Sequence, residues 1–440
     1  MAVLSIRHRL SFAFGSFVTA PFATVPGLLL LPYLTDTMAV PAAAAGAIVL
    51  VPKAWDVLFN PVAGRISDRA LRRQGSRRPV LLLGGAGVAL LFVALFAHPG
   101  LGSVAADAGY VVLVFFVAAT AYAFFQVPYN ALPAEITDSY DERTRMSAWR
   151  IAMLALAVLG SGAGAPAIAN GIGGVAGYRV MSVAVAALML AGALVVYLGL
   201  RDAPVGTRRE LTPRMRELAA TMRGWRPFQW LLAVYVVQSI GVGTLLAGVV
   251  YTARHVLGDA ELQTFLFAGF VGPAMLVMPL WSRLGRRGGK LTGFRIASGL
   301  FGGALLVLSA ATILPMPVIF GLVALAGVGY AGVQVFPLAI LPDLIAVEEQ
   351  RTGATRAGVA AGLWTAAETL GLALGPGLFG LILATGGYLS TMEHATAAQP
   401  DSAITAIVLG FSTIPGILIL LGIPLLRRSV LPVPRRATLG

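Results

Sequence analysis

Apolar runs of about twenty residues alternate with short polar stretches along the chain, and a run of that length is what a helix needs to cross the hydrocarbon of a bilayer. Twelve runs are legible, at residues 12–35, 40–62, 79–97, 109–133, 147–170, 178–200, 227–253, 260–282, 292–313, 316–342, 358–385 and 403–426. Each predicts one membrane-spanning helix. Arg7 and Arg9 precede the first run, which outlasts a signal peptide and lacks a small-residue cleavage site, so it reads as a retained helix. The longest polar stretch, 201–226, divides the spans six and six. The expected organisation is an N-terminal half over 1–200, a linker over 201–226, a C-terminal half over 227–426 and a tail over 427–440. Two equal halves are expected of transporters whose halves rock around a central site.

Composition removes the alternatives. Hydrophobic residues make up 58% of the 440 and charged residues only 12%, too few polar groups to cover water-soluble domains. With no cysteine and four scattered histidines, no disulfide, thiolate site or clustered metal-ligand set is expected. Neither a nucleophile motif nor a phosphate loop emerges, so no enzyme and no cofactor are expected. The net charge of +13 is explained by placement. Of 32 basic residues, 29 lie in the even connections, the adjoining helix ends and the termini, whereas the odd connections hold two, Arg179 and Arg254. By the positive-inside rule both termini and the linker are cytoplasmic, which suits a monomer in the inner membrane. The basic balance then serves topology and anionic lipid, with no need for nucleic acid.

Charges inside spans are expensive, about 2.5–3.5 kcal/mol or more at the bilayer centre, and so are candidate functional groups. Lys53 and Asp56 fall in the second span, Arg150 near the start of the fifth and Glu368 in the eleventh. Lys53, Asp56 and Asn60 share one helical face, as do Gln126 and Asn130 in the fourth span, and both faces are expected to look inward. Asp56 is either one partner of a self-contained pair with Lys53 or a binder of a coupling cation. Arg150 is either a snorkelling arginine or a substrate anchor. Glu368 has no basic neighbour in its own helix and must be protonated, paired across helices or wet. Gln238, Gln334, Tyr330 and Trp364 are candidate lining residues of a substrate path, or interhelical hydrogen-bond glue.

Trp55-Asp56 through Asn60-Pro61 to Gly64-Arg65-Ile66-Ser67-Asp68-Arg69, followed by Arg77-Arg78-Pro79, resembles the second helix and following loop of the glycoside-pentoside-hexuronide cation symporters, the melibiose permease branch of the major facilitator superfamily. Pro128-Tyr129-Asn130-Ala131-Leu132-Pro133-Ala134-Glu135, then Glu142-Arg143-Thr144 and Arg150, agree with the same family. A looser third block runs from Leu341-Pro342-Asp343 through Arg351. The resemblance implies an all-α integral membrane protein with the twelve-helix major facilitator fold in two six-helix halves. It also implies cation coupling at Asp56, with Asn60 where the family has a second carboxylate and Gln126 where it has an aspartate. Arg150 matches a sugar-site arginine, Asn130 replaces a tryptophan, and Glu368 stands where the family has a lysine.

The expected activity is secondary active transport of a small or amphipathic organic solute by alternating access, with H⁺ or Na⁺ as coupling ion. A single carboxylate makes less demand for an oxygen cage when the ion is a proton. Alternatives are an uncoupled facilitator or exporter on the same scaffold, and a transport-dead sensor or assembly factor. Arg150 and Glu368, one from each half, are the expected substrate contacts. Asp68, Arg69, Glu135 and Arg143 are expected to form charge-paired gates.

Overall fold

The computed structural model describes residues 4–137, 139–203, 224–352, 357–392 and 398–426. Most of the linker and the whole tail lie outside this set. Among the described residues, twelve helices are long and apolar enough to cross a membrane: α1 Ile6–Asp36, α2 Ala42–Arg73, α3 Arg78–Phe96, α4 Val104–Ile136, α5 Asp141–Ile172, α6 Gly174–Gly199, α7 Arg226–Val256, α8 Leu262–Gly288, α9 Lys290–Ala310, α10 Met316–Thr352, α11 Val359–Thr385 and α12 Asp401–Leu425. The chain divides into two compact units. The first is Met1–Thr212 with Leu389–Ala398, and the second is Pro213–Tyr388 with Gln399–Gly440.

Several helices outrun the apolar runs that predict them. α2 continues to Arg73 and α10 to Thr352, about ten residues beyond the last apolar turn. The added turns carry charged side chains such as Arg65, Asp68, Asp343 and Glu348. A helix satisfies its own backbone on either side of the hydrocarbon boundary, so hydropathy locates the apolar part and not the end. Capping chemistry sets some ends: the Ser139 hydroxyl accepts from the Glu142 amide at 3.4 Å, opening α5 with Asp141 and Glu142 in its first turn. Prolines interrupt α1, which holds Pro21, Pro26 and Pro32 and passes through a π turn at Pro26–Leu30.

In the second unit α7 and α11 pack closely because glycines face each other. A side chain at Gly375 would come within 2.2 Å of the Gly243 backbone, and one at Gly371 within 2.7 Å of Ser239 Cβ. Tyr235, Ser239 and Gly243 lie on one face of α7, and Glu368, Gly371 and Gly375 on one face of α11. The seam thus sets Tyr235 opposite Glu368. In the first unit, a side chain at Gly15 would come within 2.2 Å of the Tyr129 ring, so glycine lets α1 approach α4 there.

Gly375→Val is therefore expected to separate α7 from α11 and lower the thermal stability of the purified protein by about 1–3 kcal/mol or more. Gly272→Ala, with nothing within 4 Å of the added carbon, is the control and should shift stability by less than about 1 kcal/mol. Equal effects would deny the seam its role.

Candidate functional site

The first unit gathers its polar groups around α2. Lys53 Nζ donates to the Ala23 carbonyl at 3.1 Å, in the proline-interrupted part of α1. No ion pair closes between Lys53 and Asp56 among the described residues. The two still interact electrostatically, but the lysine makes its direct contact with a helix carbonyl. Asp56 is 5% exposed. Its Oδ1 and the Oδ1 of Asn60 one turn on are both buried without a hydrogen-bond partner. Two such oxygens on one helix face in low dielectric cost about 1–3 kcal/mol each if left so.

Arg150 completes this cluster. Its guanidinium lies over the Tyr129 ring, 4.7 Å from the centroid, and its carbonyl accepts from Ser16 Oγ at 3.2 Å. The Tyr129 hydroxyl donates to the Phe12 carbonyl at 2.8 Å, which fixes the ring beneath the cation. Buried Tyr122, stacked on Phe22 at 4.4 Å, is close enough to interact electrostatically with both Asp56 and Arg150. No carboxylate pairs with Arg150 among the described residues. The guanidinium is backed by an aromatic face and free to donate in its plane. Gln126 is half-buried and makes no side-chain hydrogen bond among the described residues, while Asn130 is exposed.

The second unit has its own polar centre, a small pocket lined by Tyr235, Gln238, Tyr330, Gln334 and Glu368 with apolar neighbours. The Tyr235 hydroxyl stands 2.7 Å from Glu368 Oε1 and 3.3 Å from Gln334 Oε1. Trp364 stacks on Tyr235 with centroids 4.3 Å apart, and its indole nitrogen is buried without an aligned acceptor. Gln238 spends its amide nitrogen on Ser298 Oγ at 3.0 Å and the Ile419 carbonyl at 3.2 Å. It ties α7 to α9 and α12, the glue role, and only its carbonyl oxygen is uncommitted.

The candidate gates resolve differently. Asp68 and Glu135 do come together, but through Arg77, which lies 2.5 Å from Asp68 Oδ1 and 2.8 Å from Glu135 Oε1 while being 3% exposed. Arg143 donates to the carbonyls of Thr137 at 2.9 Å and Ala134 at 3.4 Å, closing the end of α4. Arg69 is exposed and pairs with nothing among the described residues. Glu142 takes a bidentate contact from Arg9 and a further one from Arg145. In the second unit Lys290 pairs with Asp343 at 2.5 Å. Arg77 begins the approach to α3 and meets the end of α4, as Lys290 begins α9 and meets α10. Each unit thus carries a bridge from a basic residue at the start of its third helix to a carboxylate on its fourth.

Arg77, Tyr122, Tyr129 and Tyr235 are functional candidates that sequence reasoning passed over. Arg77 stands nine residues from Asp68 across a loop, where helical spacing gives no warning. Tyr235 had a usable signal: it precedes Gln238 by one turn in an otherwise apolar run.

Twelve spans in two units, each unit with polar groups gathered among its helices, define a multi-pass membrane transporter of the major facilitator fold. The chain belongs to the MFS/sugar transport protein family, whose description covers residues 11–433. It is 26% identical to the inner membrane symporter YicJ of Escherichia coli over 97% of this chain and 92% of that one. It is likewise 26% identical to the glucuronide carrier protein homolog of Escherichia coli, over 94% and 90%. The D-xylose-proton symporter crystal structure has the same fold, with a TM-score of 0.71 at 14% identity over 98% of this chain and 99% of that one. The protein is a transporter and not an enzyme, and the glycoside-pentoside-hexuronide resemblance stands.

Arg77→Gln removes the cation that Asp68 and Glu135 share and is expected to cost about 3–5 kcal/mol in thermal unfolding. Adding Asp68→Asn to it should cost far less than Asp68→Asn alone. Strictly additive losses would show that Arg77 does not join the two carboxylates.

Proposed function

We propose that this protein is a secondary active transporter that moves a small polar organic solute, of the glycoside or sugar-acid kind, across the inner membrane by alternating access, driven by H⁺ or Na⁺. The observation that carries this reading is the pair of orphaned oxygens on α2, Asp56 Oδ1 and Asn60 Oδ1. A carboxylate oxygen in low dielectric without hydrogen bond or ion pair is stabilised by a cation from outside. One formal charge and one amide carbonyl suffice for a proton and form part of a cage for sodium. The Asp56 carboxylate holds the ion in this reading, and Arg150, propped on Tyr129, donates to hydroxyl or carboxylate oxygens of the solute. Tyr122, within electrostatic reach of both, connects the ion to the solute. The names of the relatives, a symporter and a glucuronide carrier homolog, support both the coupling and the solute class. The protein acts as a monomer with both termini in the cytoplasm, an orientation supported by the uneven distribution of basic residues.

An uncoupled facilitator is the second reading. It is favoured by Asn60, which carries no charge where the resembling family has a carboxylate.

Counterflow in liposomes across a panel of glycosides and sugar acids tests transport itself, and at least one member should exchange. For that solute, Asp56→Asn is expected to abolish accumulation against a gradient while sparing exchange. Undiminished accumulation by the variant would remove Asp56 from coupling and favour the facilitator. Orientation is tested in the same membranes, where the native chain has no cysteine to interfere. A cysteine in place of Ser139 should label only from the cytoplasmic side, and one in place of Ser103 or Ser402 only from the opposite side. The reverse pattern would invert the topology.

A further inference from the structure

The second unit holds a carboxylate that the cation site on α2 does not use. Glu368 lies in the eleventh span, half-buried, in the small polar pocket between α7, α10 and α11. The titratable group facing it from α7 is Tyr235 and from α10 Tyr330, and α12 contributes none. No Lys, Arg, His, Asp or second Glu lines the cavity. Among the described residues no ion pair neutralises Glu368, in a medium where an isolated charge is costly.

The hydrogen bonds around it add a more specific fact. The Tyr235 hydroxyl has one hydrogen and two acceptors within reach, Glu368 Oε1 at 2.7 Å and Gln334 Oε1 at 3.3 Å. The ring cannot easily leave this position. It is 2% exposed, stacked on Trp364, and carried by the helix face that the Gly243–Gly375 seam presses against α11. Where the phenol hydrogen goes then depends on what Glu368 carries.

We propose that Glu368, Tyr235 and Gln334 form a second proton-binding site, in the C-terminal half, in which protonation of Glu368 passes the phenol hydrogen from the carboxylate to the Gln334 carbonyl. In the protonated form the acid hydrogen of Glu368 is donated to the Tyr235 oxygen, and the phenol donates to Gln334. Each of the two hydroxyl hydrogens in the chain then has an acceptor. On loss of the proton to water, the phenol donates to the carboxylate in a charge-assisted bond, and the Gln334 carbonyl is released toward the cavity. Binding a proton hides an acceptor from the cavity, and releasing it presents that acceptor together with a negative charge. No bond other than O–H is made or broken. The two forms offer a solute different surfaces, so protonation and solute binding are linked at this site. That linkage rests on the transporter reading; the proton site itself does not.

The test therefore uses no solute. The full chain in lipid nanodiscs is titrated with pH and followed by infrared difference spectroscopy at the carbonyl stretch of protonated carboxylic acids. A band that disappears on going alkaline is expected in the wild type and in Asp56→Asn, and its loss is expected in Glu368→Gln. Tyr235→Phe keeps the ring stack but removes the hydrogen, and should move the midpoint of that titration by about one pH unit. Glu368→Asp, which retains a carboxyl group if Glu368→Gln does not fold, should retain a band at a displaced frequency. A band of full amplitude in Glu368→Gln, no such band in the wild type at any pH, or an unmoved midpoint in Tyr235→Phe would each overturn the proposal. Failure of the counterflow panel would leave all of these readings intact.

Discussion

The constraint on which this structure depends is that hydrocarbon offers no partner to a polar group, so each one must find its partner within the protein. Most do so by reaching across to a neighbouring helix: Lys53 to the Ala23 carbonyl, Tyr129 to the Phe12 carbonyl, Gln238 to Ser298 and Ile419. These bonds cost little chain freedom and lock helix to helix. Against this background Asp56 stands out. Its Oδ1 is the one carboxylate oxygen among the described residues that is buried with neither hydrogen bond nor ion pair, and a second orphaned oxygen lies one turn away on Asn60. Isolated orphan hydroxyls such as that of Ser67 lack both the charge and the companion.

Small residues decide where those polar groups end up. Gly243, Gly371 and Gly375 let α7 and α11 approach until Tyr235 meets Glu368. Gly15 lets α1 approach the Tyr129 ring that carries Arg150. The same glycines that pack the helices thereby set the chemistry. A helix pair joined by dispersion and close backbone contact, with no hydrophobic drive between its members, is sensitive to one added methyl group.

The spans were legible in the sequence because length and hydropathy are enough to specify a membrane helix, and so were the charges that stand out within them. Helix ends were less so, since α2 and α10 keep their backbone bonds beyond the hydrocarbon and polar residues do not stop them. Partnerships across helices were the least legible. Spacing left open whether Lys53 would serve Asp56, and could not show that the proline-interrupted α1 offers it a carbonyl. Spacing also could not tell that Arg77 would join Asp68 to Glu135, because loop geometry and not helical period brings them together. Glu368 was visible as a charge without a neighbour, but its phenol partner comes from a span 133 residues away.

The central claim is that a cation held at Asp56 moves together with the solute. Charge movement on a solid-supported membrane reads this directly, whichever cation is carried. A jump in concentration of an uncharged glycoside that exchanges in counterflow should give a positive current into wild-type proteoliposomes and none into those bearing Asp56→Asn. Uptake of that glycoside by the wild type without current, or a current undiminished in the variant, would contradict the account.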